Sequence, residues 1–182
     1  MIRNMICAGP AQKRRIADSR DRLYRVALSW CGDEMLADDL VQEAIETGIL
    51  KSHQLRDESR LFPWLYRILN NAWYAHLRKD RKHEILDDDI PSDDMGPCNS
   101  CQEIELVTQV RTAVALLPKD QRQVISLVDL GELPYSDVAE TLEIPIGTVM
   151  SRLHRARKSL LARMHEAPPV PATARGNIRL VE

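Results

Sequence analysis

An all-α fold of two small helical domains joined by a flexible acidic linker is predicted by three features of this 182-residue sequence. Apolar residues recur at helical spacing in two separate stretches, a run of acids with Pro and Gly lies between them, and the second stretch contains a helix-turn-helix pattern. Only 4% of residues are aromatic and 44% are hydrophobic, so Leu, Ile, Val and Ala must build the cores, and two small cores suit this length.

In the first stretch Leu23, Val26, Ala27 and Trp30 repeat at helical spacing, and Leu36, Leu40, Val41, Ala44 and Ile45 do so after Cys31-Gly32-Asp33. That pattern predicts two helices and a turn. A third helix is expected from about Pro63, which suits a first turn, with Leu65, Ile68, Leu69, Ala72 and Leu77 on one side. Asn70 and Asn71 favour local backbone hydrogen bonds over the helix interior, so a break is expected at that pair. The stretch ends in the basic run Arg78, Lys79, Arg81 and Lys82.

The net charge of -2 argues against a polyanion binder until its distribution is considered. Residues 84 to 105 hold Glu84, Asp87, Asp88, Asp89, Asp93, Asp94, Glu103 and Glu105 with no Lys or Arg, whereas 151 to 164 hold Arg152, Arg155, Arg157, Lys158 and Arg163 with no acid. Five divisions are expected: an N-terminal extension (1–17), a first domain (18–83), an acidic linker (84–103) too polar to order itself, a second domain (104–165) and a Pro-rich disordered tail (166–182).

The second domain shows its apolar repeat in Ile104, Val107, Val110, Val114 and Leu117, then in Val124, Ile125, Leu127, Val128 and Leu130. From Tyr135 to Leu160 the pattern is that of a helix-turn-helix. Ser136 is a good N-cap; Val138, Ala139 and Leu142 face inward, and Ile144 plugs the turn. Glu143 stands where Gly commonly supplies a left-handed backbone. In the following helix Val149, Leu153, Ala156 and Leu160 are expected to be buried, leaving Ser151, Arg152, His154, Arg155 and Lys158 outward. A helix in the major groove needs such polar and basic side chains for base edges and phosphates.

On ADDLVQEAIETGIL (37–50), FPWLYRILNNAWYAHLRKDRK (62–82) and LPKDQRQVISLVDLGELPYSDVAETLEIPIGTVMSRLHRARKSL (117–160), the chain resembles extracytoplasmic-function sigma factors of bacterial RNA polymerase. The resemblance implies that the two domains are sigma domains two and four, that the chain carries polymerase to promoters, and that no cofactor is used. It also implies binding of core polymerase at the clamp helices of the largest subunit and the flap region, binding of promoter DNA, and control by an anti-sigma factor.

By that resemblance the first motif docks on polymerase through Asp38, Asp39, Gln42 and Glu43, which share an acidic helix face suited to a basic partner. The second motif would bind and melt the downstream promoter element through Asn70, Asn71, Tyr74, Arg78, Lys79, Arg81 and Lys82, with Asn71 matching the position that contacts an extruded base. Phe62, Trp64, Tyr66, Trp73 and Tyr74 also fall there; an exposed aromatic stacks on an unpaired base for about 1–3 kcal/mol, comparable with the cost of unstacking one. Trp64 and Trp73 also fit a purely structural role in the core.

Two other classes of function compete with this reading. A conventional repressor using the same helix-turn-helix would bind DNA unaided, usually as a dimer, and a decoy would sequester an anti-sigma factor without touching DNA. Cys98 and Cys101 have the spacing of half a zinc or redox site but lack a second pair at ligand spacing, and no catalytic motif is present, so neither metal nor enzymatic chemistry is expected. No apolar run nears the ~20 residues of a membrane span, which predicts a cytoplasmic protein without direct membrane insertion.

Overall fold

The computed structural model describes residues 9–83 and 101–166, and every described element is helical. The linker and tail expectations, and Cys98, lie outside the described residues.

Helices α1 (Pro10–Asp18), α2 (Arg20–Cys31), α3 (Glu34–Leu50) and α4 (Leu61–His83) form the first unit. Gly32 ends α2 in the left-handed region at φ 75°, and its N–H donates to the Leu28 carbonyl. Asp33 then caps α3 by accepting from the Leu36 N–H at 2.8 Å. One stripe of α3, formed by Ala37, Leu40, Val41, Ala44 and Gly48, is buried, as helical periodicity requires.

One sequence expectation changes here, and the extension gains a helix that the sequence did not signal. The extension over 1–17 is partly helical: α1 packs on α3 and places Ile16, which is fully buried, in the core. Helix α4 starts at Leu61 and runs unbroken through Asn70 and Asn71. The Asn70 side-chain oxygen accepts from Gln123 Nε2 at 2.9 Å, so it does not compete for its own backbone. Burial of Leu65, Tyr66, Leu69 and Trp73 outweighs the few tenths of a kcal/mol of poor Asn propensity.

The second unit contains α5 (Cys101–Ala115), α6 (Lys119–Ile125), α7 (Tyr135–Leu142) and α8 (Ile146–Glu166). Helix α5 reaches back into the expected linker, and it buries Ala113 while Val107 and Val110 stay exposed. Between α6 and α7 the chain makes a π-helical turn, Ser126–Leu130, closed at Gly131. A Cβ on Gly131 would stand 2.6 Å from the Leu127 carbonyl oxygen, so no larger residue fits there unless the turn shifts. Pro134, not Ser136, occupies the N-cap of α7, and Ser136 lies inside the first turn.

The two units pack on each other. Helix α2 meets the π turn, α5 and α6; α4 meets α7; and the buried residues of both units join in one cluster. Polar contacts also cross between them. Arg122 donates to the Trp30 carbonyl at 2.9 Å, supplying a cation and a donor to the C-terminal end of α2. Ser29 donates to Ser126 at 2.6 Å, Arg22 donates to the Gly131 carbonyl and pairs with Glu132, and the Arg22 guanidinium lies 3.9 Å from the centre of the Phe62 ring.

Burial pushes the Tyr66 phenol up to about 12, against the opposing pull of Arg22. The unfolded phenol ionises near pH 10, so its contribution is complete below that pH and is lost as pH rises towards 12. At ~1.4 kcal/mol per unit this amounts to roughly 2–3 kcal/mol. Denaturant titrations of Tyr66→Phe and wild type should therefore differ little at pH 7 and diverge above pH 10, with the variant losing less stability. Gly131→Ala should lower stability by about 1–3 kcal/mol, an overpacking cost that the same titrations would measure.

Candidate nucleic-acid interface

Helices α7 and α8 meet through the turn Glu143-Ile144-Pro145. Glu143 adopts φ 56°, ψ 42°, the left-handed geometry that the sequence assigns to this position, and the Ile144 N–H closes the turn on the Ala139 carbonyl at 3.0 Å. Val138, Val149, Leu153 and Ala156 are buried between the helices, which fixes the opposite side of α8 towards solvent. That side presents Ser151, His154, Arg155 and Lys158, all exposed.

Arg152 differs from its expected outward disposition: it is partly buried and paired with Asp120 of α6. Arg157 is paired with Asp129 at 2.7 Å, which raises its pKa. The exposed row therefore contains Arg155 and Lys158 as cations not drawn towards a carboxylate by any described ion pair, while Arg155 Nε donates to its own helix at the Ser151 carbonyl.

Along α4 the structure separates residues that the sequence groups together. Asn71 is exposed, whereas Asn70 is buried against Gln123. Tyr66 and Trp73 belong to the core, and Phe62 and Trp64 pack against it. Tyr74 is the member of the aromatic set with an open flank, at 37% exposure. Even so, its hydroxyl donates to Gln123 Oε1 at 3.2 Å and the Lys119 ammonium sits 4.1 Å from its ring centre. Arg78 and Lys79 are exposed on the last turns of α4; Arg81 and Lys82 lie on the same helix, and their side chains are outside the described set.

The acidic face of α3 is open. Asp38, Asp39, Gln42 and Glu43 are all exposed, with Asp38 accepting from Arg20 at 2.8 Å and Gln42 donating to Glu46 at 3.0 Å. Between α4 and α7 lies a cleft of about 220 Å³ lined by Arg56, Arg60, Trp64, Arg67 and Glu140. Arg60 pairs there with Asp137 and Glu140, and Arg67 with Glu143. Sequence reasoning missed these pairs because their partners are 76 to 80 positions apart.

Residues 16–83 match sigma-70 region 2 and residues 108–160 match sigma-70, region 4. Over 144 residues the chain is 33% identical to the ECF RNA polymerase sigma factor EcfG of Rhodopseudomonas palustris, covering 79% of each chain. The chain belongs to the extracytoplasmic-function sigma factors.

Sigma factors are DNA-recognising transcription initiation factors, so this ECF sigma factor is not an enzyme. It is also 30% identical over 158 residues to the ECF RNA polymerase sigma factor SigE of Mycolicibacterium smegmatis, an alignment covering 84% of this chain and 61% of that relative's length. Among solved structures, the sigma factor RpoE in complex with the anti-sigma factor NepR from Bartonella quintana matches with a TM-score of 0.75 and 27% identity, covering 88% of this chain and 100% of that one. Among the described residues of the ECF sigma factor, no group of three His, Cys, Asp or Glu could hold a metal, and no helix is long and apolar enough to cross a membrane. Cys31 is a free, half-buried thiol whose pKa is raised by burial.

Removing the Asn70 side chain strands a buried Gln123 donor. Asn70→Ala should cost about 1–3 kcal/mol despite the better helix propensity of Ala, while Asn71→Ala at the exposed neighbouring position should change stability by less than about 0.5 kcal/mol. Thermal or denaturant unfolding of the two single variants checks this asymmetry.

Proposed function

We propose that this ECF sigma factor reads two promoter elements and opens one of them, with each helical unit serving one element. In this reading the second unit, residues 104–165, acts as sigma domain four and sets α8 in the major groove of the upstream element. Ser151, His154 and Arg155 meet base edges, and Lys158 meets phosphate. The observation that carries the reading is the exposed polar and basic row of α8, set on a turn whose opposite side is buried. Arg152 joins the contact after exchanging Asp120 for phosphate.

The first unit, residues 18–83, acts as sigma domain two. Asn71 and Tyr74 hold extruded bases of the downstream element, and Arg78, Lys79, Arg81 and Lys82 grip the adjoining phosphates. Asn70 contributes only once Gln123 has withdrawn. Asp38, Asp39, Gln42 and Glu43 form the contact with the clamp helices of the largest polymerase subunit, where an anionic helix face complements a basic one, and the second unit meets the flap region. The protein works in the cytoplasm, where polymerase and promoter are. An anti-sigma factor controls it, a reading supported by the relative solved with NepR.

Adding the purified chain to core polymerase should yield run-off RNA from host promoters, and polymerase-independent DNA binding without RNA would favour a conventional repressor instead. Arg155→Ala should weaken upstream-element binding roughly 10- to 100-fold, the equivalent of about 1–3 kcal/mol. Asn71→Ala should leave the closed complex intact and reduce permanganate reactivity of the opened strands. Normal melting in that variant would remove Asn71 from the mechanism.

A further inference from the structure

The solvent side of α8 is not wholly polar. Ile146 and Met150, one turn apart on one flank of the row, are 46% and 50% exposed. They belong neither to the buried cluster that holds Val149, Leu153 and Ala156 nor to the partly buried side chains packed on it. A single exposed apolar residue is ordinary on a protein surface. This pair instead continues, at the N-terminal end of the helix, the row of Ser151, His154, Arg155 and Lys158, and it is the N-terminal part of a recognition helix that meets base edges.

Gly147 lies between that flank and Ser151, which follows it by four residues on the outward side. Its φ is outside the left-handed region, and a Cβ built there would meet nothing within 4 Å, so neither the backbone nor the packing of the chain calls for glycine. The missing side chain leaves a shallow notch beside Met150.

The groove that α8 faces determines what this notch can hold. Methionine has no donor and its thioether accepts only weakly, so Met150 cannot read a base edge through hydrogen bonds. In the major groove the apolar feature is the C5-methyl of thymine. The other base edges present donors and acceptors, which an apolar side chain would strip of water without replacing the lost bonds.

We infer that Met150, flanked by Ile146 and by the space at Gly147, reads a thymine methyl group, adding a thymine preference to the upstream element beside the positions met by Ser151, His154 and Arg155. The inference rests on the placement of α8 in the major groove given under the proposed function, and it names a base specificity for that helix. Met150 is unbranched and follows the methyl through its three rotatable bonds. It selects by removing one methyl group from water, with no directed bond.

The test uses host core polymerase with the full chain, and duplexes selected by that holoenzyme from a random-sequence library. Each thymine of the selected upstream element is replaced in turn by deoxyuridine, which removes only the C5-methyl. With the wild-type chain at least one replacement should weaken binding about 3- to 5-fold, the effect of one buried methyl. Met150→Ala should bind the thymine duplex more weakly by the same factor, and should bind the deoxyuridine duplex as wild type does. Gly147→Ala should unfold at the wild-type temperature or above it. Its added methyl fills the notch, so it should nevertheless bind the selected duplex about 10-fold more weakly.

A selected element with no thymine on either strand would overturn the inference, as would equal affinity for the thymine and deoxyuridine duplexes at every position. A deoxyuridine penalty that persists in Met150→Ala, or undiminished binding by Gly147→Ala, would also overturn it. Failure of the helix placement registers separately: Arg155→Ala would then bind the selected duplex as tightly as wild type.

Discussion

Helix α4 has to satisfy two neighbours with one uninterrupted cylinder, and the rest of the molecule is arranged around that constraint. Leu65, Tyr66, Leu69 and Trp73 fix it in the core, and α2 and α3 of the first unit pack against it. Asn70 and Tyr74, one turn apart, turn towards α6, while Arg67 turns towards Glu143 at the end of α7. Only a continuous helix holds these groups at fixed angles, which is why the Asn70–Gln123 bond matters beyond its own energy. It keeps a residue that favours turns inside a helix that must not break.

The distribution of charge follows the same geometry. An overall charge of -2 conceals acids on α7 that answer Arg60 just before α4, and acids at Asp120 and Asp129 that answer cations on α8. Inside the packed molecule these pairs quiet the field of the basic helices. Among the described residues, the acidic face of α3 has no comparable ion-pair partner except at Asp38, and it is exposed.

Much of this was legible in the sequence where the signal is local. Gly32-Asp33 marks a helix stop and start, the repeat of Leu40, Val41 and Ala44 marks a buried stripe, and Glu143 marks a left-handed turn. Helix α1 escaped notice because Lys13, Arg14 and Arg15 surround its one fully buried side chain, Ile16, and leave no periodic stripe. The break expected at Asn70-Asn71 failed for the opposite reason: propensity is local, while the Gln123 partner is 53 positions away. The row on α8 was readable from spacing except at Arg152, whose engagement depends on where α6 places Asp120. Within the aromatic cluster, composition could not separate Tyr74 from Tyr66 and Trp73, because burial rather than residue type decides which ring a base can reach.

The internal pairing of Arg152 bears on the ionic accounting of the DNA contact proposed for α8. A cation that reaches phosphate from open water releases a counterion condensed on the duplex, and this steepens the fall of affinity with salt. In the contact proposed for α8, Arg152 would first leave Asp120 and the freed carboxylate would recruit a cation from solution, so the net release would be smaller. On the proposed reading, the salt slope of α8 on duplex DNA would report fewer phosphates than the helix touches, and the surface would hold its grip better at high ionic strength than its count of basic residues implies.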